Sequence, residues 1–352
     1  MRQIRILHLG VGNVGRQLLQ QIKDAEGHLS EQWSTQFLFH GLFTSQRGIV
    51  DRNGLSATMA LKKLFDNKLS APYFLEEVVR TMPLPFLLID TTASDATIAY
   101  IKQALRRGGF VVLSNKKPLT GTQEQFDMLH KLSQQRLLYE TVVGGGLPVI
   151  KTIKEMIDTG DEIVEIQGCL SGTLSFVFSE LDKGRRFSEI ILDAKKNGFT
   201  EPDPRDDLSG KDVARKALIL SRIIGRKLEL KDIKIVNLYS RKLDSLNIEE
   251  FMKQVGVLDK YYQDKIARVK MKNRVFRYVA RISHKTCTVG LEEVEASSEI
   301  GSLKGSENLI MIKTKRYFKN PLVIKGPGAG IEVTAAGVFA NILEIVKTIK
   351  YD

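Results

Sequence analysis

A glycine-rich turn near the start of the chain constrains the fold more than any other stretch. Residues 4–9 form a short apolar run, Gly10-Val11-Gly12-Asn13-Val14-Gly15 follows at once, and a helical pattern continues to about residue 25. The order strand, Gly-x-Gly-x-x-Gly, helix is the context in which this spacing binds a dinucleotide. The first glycine permits the tight turn, the second lets the backbone approach a pyrophosphate, and the third allows close helix–strand packing. A tight turn without a ligand is the alternative.

The next hundred residues repeat an alternation of strands and helices. Apolar runs predict strands over residues 37–43, 85–90, 110–113 and 137–143, and helices are predicted over 95–107 and 123–135. Short loops between such elements favour a parallel sheet with helices on both faces. The first half is therefore predicted to be a Rossmann-type, doubly wound α/β domain.

Polar residues follow several of these strands, at the edge where such sheets hold ligands. After the second strand comes Thr44-Ser45-Gln46-Arg47, with no acid for a ribose 2′-hydroxyl. Ser45 and Arg47 could instead meet a 2′-phosphate, so NADP is the predicted cofactor, with NAD possible; a plain loop cation is the alternative for Arg47. Thr92, Ala93 and Lys116 are further candidates for the same edge.

The pattern changes from Glu162 onward. Strands are predicted over residues 163–169, 233–239, 267–272, 274–282 and 286–294, and helices over 174–181 and 188–197, which indicates an α+β domain with a mixed sheet. A further strand is predicted over 322–324. The glycine-rich loop over 326–330 and the helix over 333–349 that follow are predicted to return to the nucleotide domain and cover the cofactor. The predicted domains are 1–143 with 326–352 for the dinucleotide, and 144–325 for substrate and dimerisation.

The stretch 201–216 combines an acidic loop with a helix. Pro202 and Pro204 stiffen the loop, and Ser209 is the predicted N-cap of the helix. Asp212 and Lys216 lie four residues apart and project from one helical face. Such a site would suit a small, polar, partly cationic substrate, whereas capping and solvation are the alternative.

Composition narrows the class of protein. The net charge of +12 arises from lysines and arginines spread along the whole chain, without a nucleic-acid motif, so phosphorylated or acidic small ligands are favoured over nucleic acid. Two cysteines cannot build a disulfide framework. The first apolar run is too short for a signal peptide, and no run approaches the length of a membrane span, so a cytoplasmic protein is expected.

The assembled motifs resemble homoserine dehydrogenases. The most specific match lies at the family's signature spacing and consists of Ala194, Gly198, Phe199, Thr200, Asp203, Pro204, Asp207, Leu208, Gly210, Asp212 and Lys216. Supporting matches are Gly10–Gly15, Asn115-Lys116, Glu140 with Gly144 to Pro148, Ser171 to Phe176, and Gly328 to Gly337. The resemblance covers nearly the whole chain and is to the short form without an aspartate kinase or regulatory module. Asn13, His8 and Arg47 depart from the usual pattern.

This resemblance implies an activity, a set of site residues and an assembly. The reaction would be the interconversion of L-homoserine and L-aspartate 4-semialdehyde with a nicotinamide cofactor, in threonine, methionine and isoleucine biosynthesis, by a homodimer joined through the second domain's sheet. Glu201 would anchor the substrate's amino group, with Asp207, Asp212, Gly172 and Thr173 nearby and Gly328 beside the cofactor. A sodium or potassium ion would be held by carbonyls of Glu140, Val143, Gly145 and Leu147.

The residues leave the roles of the two matching lysines open. Removing the hydroxyl proton needs a base, and the reverse reaction needs a cation beside the oxygen. Lys116 is favoured for the proton and Lys216 comes next. Two rivals remain at this point: a semialdehyde dehydrogenase with a nucleophilic cysteine, Cys169 or Cys287, and a catalytically silent NADP-binding protein.

Overall fold

The structure is a computed structural model that describes residues 2–66 and 75–349. The chain divides into two compact units. One combines Met1–Gly146 with Gly330–Asp352, and the other is Leu147–Ala329. The unit boundaries lie three and four residues after the predicted domain boundaries. The dinucleotide and substrate roles of the two domains stay predictions.

The described residues form the following strands and helices. The strands are β1 (Arg2–Leu9), β2 (Thr35–Phe43), β3 (Gly48–Leu55), β4 (Phe86–Asp90), β5 (Phe110–Leu113), β6 (Leu137–Leu138), β7 (Ile163–Cys169), β8 (Lys234–Ile235), β9 (Arg274–Ser283), β10 (Cys287–Glu295), β11 (Glu307–Thr314) and β12 (Leu322–Pro327). The helices are α1 (Asn13–Asp24), α2 (Glu26–Trp33), α3 (Ala57–Phe65), α4 (Leu75–Thr81), α5 (Ile98–Arg106), α6 (Lys117–Thr120), α7 (Gln123–Ser133), α8 (Val149–Asp158), α9 (Gly172–Asp182), α10 (Phe187–Lys196), α11 (Pro204–Leu208), α12 (Lys211–Ile223), α13 (Ile248–Gln254), α14 (Asp259–Lys270) and α15 (Ile331–Thr348).

The first unit contains a sheet of strand order β3-β2-β1-β4-β5-β6. β1, β2, β4, β5 and β6 run parallel, which confirms the predicted Rossmann-type sheet. β3 adds an antiparallel edge strand that the sequence does not predict. Its run Asp51 to Gly54 is polar and glycine-containing, so the apolar alternation that marks a strand is lost there.

The strand predicted over residues 137–143 is wrong beyond its first two residues. β6 covers only Leu137–Leu138, and Glu140–Val142 form a turn of 3-10 helix. The backbone N–H of Glu140 donates to Oδ1 of Asn341 at 3.0 Å, so this segment bonds to α15 instead of extending the sheet.

The last helix completes the core of the first unit. Ala335, Val338 and Ile342 of α15 lie in the same buried cluster as Ile4 and Ile6 of β1. Apolar surface removed from water in this way is the main favourable contribution to folding. The chain end is therefore part of the first unit's core, whereas its role in covering a cofactor stays a prediction.

The second unit contains a mixed sheet of strand order β12-β11-β7-β9-β10-β8. β8 runs parallel to β10, and the other neighbours are antiparallel, which confirms the predicted mixed sheet. β12 pairs with β11, so the strand predicted at 322–324 belongs to this sheet.

Three predicted elements of the second unit need correction. Residues 267–272 alternate apolar and polar side chains like a strand, yet 267–270 are the end of α14, whose buried residues Tyr262, Ile266 and Val269 follow a helical spacing. The strand predicted at 233–239 is reduced to Lys234–Ile235. β11 was absent from the prediction and lies in the sheet between β12 and β7.

Across residues 2–66 and 75–349, none of the helices combines the length and apolar character that a membrane crossing requires.

Candidate active site

A cavity of about 540 Å³ opens at the carboxyl ends of β1, β2 and β4. It is lined by seven of the predicted cofactor residues, Gly10, Val11, Gly12, Ser45, Arg47, Thr92 and Ala93. Thr91, Ser94, Thr97 and Tyr100 line it as well. Thr91 and Ser94 belong to the run of small hydroxyl residues that closes the strand predicted over 85–90. Thr97 and Tyr100 were not predicted, because they lie within the helix predicted over 95–107.

The first glycine turn is built against the loop after β4. Gly10 has φ +91°, and a β-carbon there would stand 2.7 Å from the backbone of Thr91 and Thr92. The Thr91 hydroxyl donates to the Gly10 carbonyl at 2.6 Å. At Gly15 a β-carbon would stand 2.5 Å from that same carbonyl, so the helix can pack onto the turn only with glycine. The turn is thus held in one shape by its neighbours.

The N-terminus of α1 opens beside this turn. Its N-cap is Gly12, no side chain caps it, and its first turn carries no acidic residue. The first N–H groups of a helix lack partners within the helix and, with the helix dipole, favour an anion. This is the arrangement a pyrophosphate requires.

The turn between β2 and β3 is fixed by one side chain. The Thr44 hydroxyl oxygen accepts from the N–H groups of Gln46 and Arg47, at 3.3 and 3.0 Å. The backbone N–H of Thr44 donates to the Arg47 carbonyl at 2.8 Å. Ser45 and Arg47 are therefore presented to the cavity by a defined turn instead of a loose loop.

Several other predicted cofactor residues do not line the cavity. Asn13, Val14 and Gly15 lie in the first turn of α1. Lys116 lies between β5 and α6, directly before the first residue of α6. Gly328 belongs to the second unit, where a β-carbon would overlap the buried Asn308 side chain. That packing alone requires glycine at 328, and its contact with a cofactor stays a prediction.

His8, which departs from the usual family pattern, supports the glycine turn through Thr91. It is fully buried in β1, and its Nε2 lies 3.0 Å from the Thr91 hydroxyl. Burial lowers the pKa of the imidazole to about 3, so the ring is neutral at physiological pH. Because the Thr91 hydroxyl donates its only proton to the Gly10 carbonyl, the neutral His8 ring carries its N–H at Nε2 and donates it to the Thr91 oxygen.

In the second unit the acidic loop is not a free loop. Residues Pro204–Leu208 form α11, and the Asp203 side chain caps it by accepting from the Arg205 N–H at 3.0 Å. The Arg205 guanidinium bonds the Asp203 carboxylate and the carbonyls of Leu243 and Leu246. The predicted proline-stiffened loop is therefore in part a short helix, and Arg205 anchors it.

The predicted N-cap of the next helix is wrong by one residue. α12 begins at Lys211 with Gly210 as its N-cap, at φ +70°, and Ser209 ends α11. A β-carbon at 210 would overlap the Tyr278 hydroxyl, so both the positive φ and the packing require glycine. The buried face of α12 includes Val213, Ala214, Ala217, Leu218 and Leu220.

Lys216 is fixed by two acceptors. Its Nζ lies 2.9 Å from Oδ2 of Asp212 and donates to the Leu170 carbonyl at 2.6 Å. Leu170 directly follows β7, so the amine sits at a strand end and beside the start of α9. An ammonium group has three N–H donors, and these two bonds leave a third for a substrate oxygen.

Asp207 lies close enough to Glu201 and Asp212 for the charges of both to act on its carboxyl group. The backbone N–H of Glu201 donates to Oδ2 of Asp207 at 2.9 Å, and the Thr173 hydroxyl bonds the Phe199 carbonyl. Burial raises the pKa of the Asp207 carboxyl to about 6, and the charges of Glu201 and Asp212 act in the same direction. An acid held against burial and like charges is typical of a site that receives a cation.

Asp207→Asn is expected to stabilise the protein at pH 8 by ~1–2 kcal/mol, because the ionised carboxyl is unfavourable in its buried place. The folded pKa of about 6 lies above the ordinary aspartate pKa of 3.8. The protonated acid therefore contributes stability that is full below about pH 4 and is lost as pH rises through about 6.

Urea unfolding at pH 8 and pH 4.5 measures this effect. Asp206→Asn, an exposed neighbour on α11, is the matched control and should change stability little at either pH. An Asp207→Asn variant that gains no more stability at pH 8 than at pH 4.5 would contradict the account.

The predicted cation residues fall on a distinctive turn. Gly144 and Gly145 have φ +81° and +63°, which turns the backbone after the 3-10 helix. The carbonyl of Glu140 accepts from Val143 N–H at 3.4 Å, and that of Leu147 accepts from Val149 N–H at 2.9 Å. No group of three or more acidic, histidine or cysteine side chains suited to a metal occurs in the part of the chain that the structure describes.

Neither thiol is placed for nucleophilic chemistry. Cys169 is buried in β7, where burial raises the pKa of its thiol to about 12. Cys287 is buried as well, with a pKa raised by burial, and Ser221 lies 3.5 Å from its sulfur. A catalytic cysteine needs the thiolate and therefore a lowered pKa.

These features define a class of protein. The sheet order, the glycine turn and the open helix N-terminus of the first unit are those of a Rossmann-type dinucleotide-binding protein. The second unit adds a lysine–carboxylate site on a mixed-sheet domain. Comparison with known proteins gives the family.

Two sequence models of that family match the chain. The one described as homoserine dehydrogenase matches residues 148–343, and the one described as homoserine dehydrogenase, NAD binding domain, matches residues 10–140. The chain therefore belongs to the homoserine dehydrogenase family.

Individual proteins agree with this assignment. The homoserine dehydrogenase of Schizosaccharomyces pombe is 35% identical over 362 residues, covering 99% of this chain and 96% of that protein. The bifunctional aspartokinase/homoserine dehydrogenase of Haemophilus influenzae is 36% identical over 96% of this chain, which spans 42% of that longer protein.

Solved structures show the same fold. A Candida auris protein described as of unknown function matches with a TM-score of 0.90 and 30% identity, over 99% of each chain. A putative homoserine dehydrogenase from Archaeoglobus fulgidus matches with a TM-score of 0.80 and 26% identity, over 97% of this chain and 99% of that one.

Proposed function

We propose that this chain catalyses the NADP-linked interconversion of L-homoserine and L-aspartate 4-semialdehyde. In the oxidising direction the C4–H bond of homoserine breaks with its electron pair, the hydroxyl loses its proton, and an aldehyde forms. When bound, the nicotinamide supplies the hydride acceptor. The chain's own residues must then hold the substrate, take up the proton and control the charge on the oxygen.

The observation that carries the proposal is the fixed amine of Lys216. It is held between Asp212 and Leu170 beside the acidic group of Glu201 and Asp207, so one place offers a cation for an oxygen and anions for an ammonium group. Homoserine carries both of these groups. We assign its amino group to Glu201 and Asp207, with Gly172 and Thr173 shaping the approach.

The two lysines receive different roles in this proposal. The bonds of Lys216 to a carboxylate and a carbonyl suit an ammonium group that polarises the substrate oxygen. Lys116 follows β5 at the strand end, and we assign it the proton exchange.

An absorbance assay of reduced nicotinamide tests the function. Purified protein should form NADPH from NADP with L-homoserine, and consume NADPH with aspartate 4-semialdehyde without added phosphate. A phosphate-dependent oxidation of the semialdehyde would support the rival dehydrogenase, which the two buried thiols disfavour. NADPH binding without turnover of either substrate would support the silent binding protein.

The cofactor preference rests on Arg47. Arg47→Ala should lower kcat/KM for NADP by about 10–100-fold and leave NAD nearly unchanged, since a lost charge-assisted contact to a phosphate is worth about 1.5–3 kcal/mol. Steady-state kinetics with both cofactors measure it. Arg52→Ala, an exposed arginine on β3, is the control for net charge. A wild-type preference for NAD would overturn the assignment.

The turn after β6 is proposed to hold a sodium or potassium ion through carbonyls of Glu140, Val143, Gly145 and Leu147. Oxygen ligands suit such hard cations. Replacing sodium and potassium by tetramethylammonium at constant ionic strength should lower activity about tenfold. The bound ion would order backbone near the active site, and a displacement of catalytic groups by about 1 Å can cost about 10²-fold in rate. Equal activity in all three salts would refute the cation site.

A homodimer joined through the sheet of the second unit, acting in the cytoplasm, completes the proposal. Light scattering on the eluting protein should give twice the chain mass, and a monomer mass would refute the dimer.

A further inference from the structure

A buried carboxylate–carboxamide pair connects the cofactor cavity to Lys116. Asp90 ends β4 and is 0% exposed, and Asn115 follows β5 by two residues and is 2% exposed. The Asn115 Nδ2 donates to Oδ2 of Asp90 at 3.0 Å. Polar groups this deep in a domain are costly unless they are bonded, so the pair has to be maintained as a whole.

Asp90 and Asn115 each hold the loop that lines the cavity. Oδ1 of Asp90 accepts from the Thr92 N–H at 2.9 Å. The Asn115 Nδ2 also lies 2.8 Å from the Ser94 carbonyl and 3.1 Å from the Thr92 hydroxyl. Thr92 and Ser94 both line the cavity, and Thr92 lies against the glycine turn.

The same pair holds the backbone on both sides of Lys116. Oδ1 of Asn115 accepts from the Lys117 N–H at 3.1 Å, which spans Lys116. The Asp90 carbonyl accepts from the N–H groups of Ser114 and Asn115, at 2.8 and 3.3 Å. One amide side chain therefore bonds the cavity loop through its nitrogen and the lysine segment through its oxygen.

We propose that Asp90 and Asn115 are positioning residues that fix the position of Lys116 relative to the loop that lines the cofactor cavity. The proposal rests on the proposed function, because it assigns Asn115 an effect on turnover through Lys116. Small displacements of a catalytic group cost large factors in rate, whereas they change stability little.

A double-mutant cycle separates positioning from mere stabilisation. Asn115→Asp keeps the shape but places a carboxylate against Asp90 and the Ser94 carbonyl. It should lower kcat by about 30–100-fold in the wild-type background and by less than about threefold in Lys116→Ala, because residues that act as a unit are not additive. Lys117→Ala is the matched control, since that side chain forms an exposed ion pair with Asp95.

NADPH affinity gives a second readout that needs no substrate. Asn115→Asp should raise the Kd for NADPH about tenfold, because one or two hydrogen bonds that hold the cavity loop are lost. Fluorescence titration measures it. If the wild-type protein turned over no homoserine, the proposed function would fail while this Kd still decided the role of the pair in the loop.

Asp90→Asn repeats both measurements with a milder change, in case Asn115→Asp does not fold. It should lower kcat by about 3–10-fold, again only when Lys116 is present. Equal losses of kcat in both lysine backgrounds, or an unchanged Kd for NADPH, would overturn the proposal.

Discussion

Lys116→Ala and Lys216→Ala are each expected to lower kcat by about 10²–10⁴-fold, the range that general acid–base and electrostatic assistance provide. The two substitutions should differ in pH dependence. Loss of the proton-exchanging group removes one limb of the profile of kcat against pH, while loss of a polarising ammonium lowers the whole profile. The assigned roles predict the first behaviour for Lys116 and the second for Lys216.

Controls for this prediction are available on the same elements. Lys117→Ala removes a half-buried lysine next to Lys116, and Lys211→Ala removes an exposed lysine at the start of α12. Both variants should retain normal turnover. Circular dichroism verifies folding of every variant. Turnover close to wild type in both Lys116→Ala and Lys216→Ala would remove the lysines from the mechanism.

Gly10→Ala should weaken NADPH binding strongly and destabilise the first unit. The residue has φ +91°, and its new β-carbon would overlap the backbone of Thr91 and Thr92 at 2.7 Å. Backbone atoms of a strand-end loop cannot move aside cheaply, and the strained φ alone costs about 1–3 kcal/mol. We expect a Kd for NADPH at least about 100-fold higher and a Tm lower by several degrees.

Gly12→Ala provides the contrast within the same turn. Gly12 has φ −78°, and a β-carbon there would meet no protein atom within 4 Å. It should therefore leave Tm unchanged and weaken NADPH about tenfold or more, because the new methyl group would occupy the approach of the pyrophosphate. Fluorescence titration and thermal unfolding of both variants measure this. Unchanged NADPH affinity in Gly12→Ala would remove the pyrophosphate from this turn.

Local sequence signals were sufficient for part of the account. The strand, glycine turn and helix over β1 and α1 obey short-range rules, and so does the four-residue spacing of Asp212 and Lys216. The signature around Asp203 to Lys216 predicts the acidic group, whereas the cap at Gly210 was missed because Ser209 is the stronger capping residue by propensity.

Long-range contacts decided the remainder. The 3-10 turn at Glu140 depends on Asn341, two hundred residues away, and the anchor of Arg205 depends on carbonyls near Leu243. The bonding of Asp90 to Asn115 also joins two separate strand ends. In each case two polar residues far apart in the sequence meet in the fold. A single sequence does not distinguish such residues from polar residues exposed at the surface.

The same limit explains the errors in the strands. β3 is polar along half its length and is a strand because β2 pairs with it, and the end of α14 alternates like a strand while packing as a helix. Pairing partners and burial decide such short segments, and their periodicity is ambiguous.

Transfer of the hydride gives the most direct test of the proposed reaction. NADP is incubated with L-homoserine carrying two deuterium atoms at C4, and the reduced cofactor is analysed by mass spectrometry. We expect one deuterium atom in the reduced nicotinamide, and none when the deuterium is placed at C3. Reduced cofactor without deuterium, or no reduction at all, would refute the proposed hydride transfer.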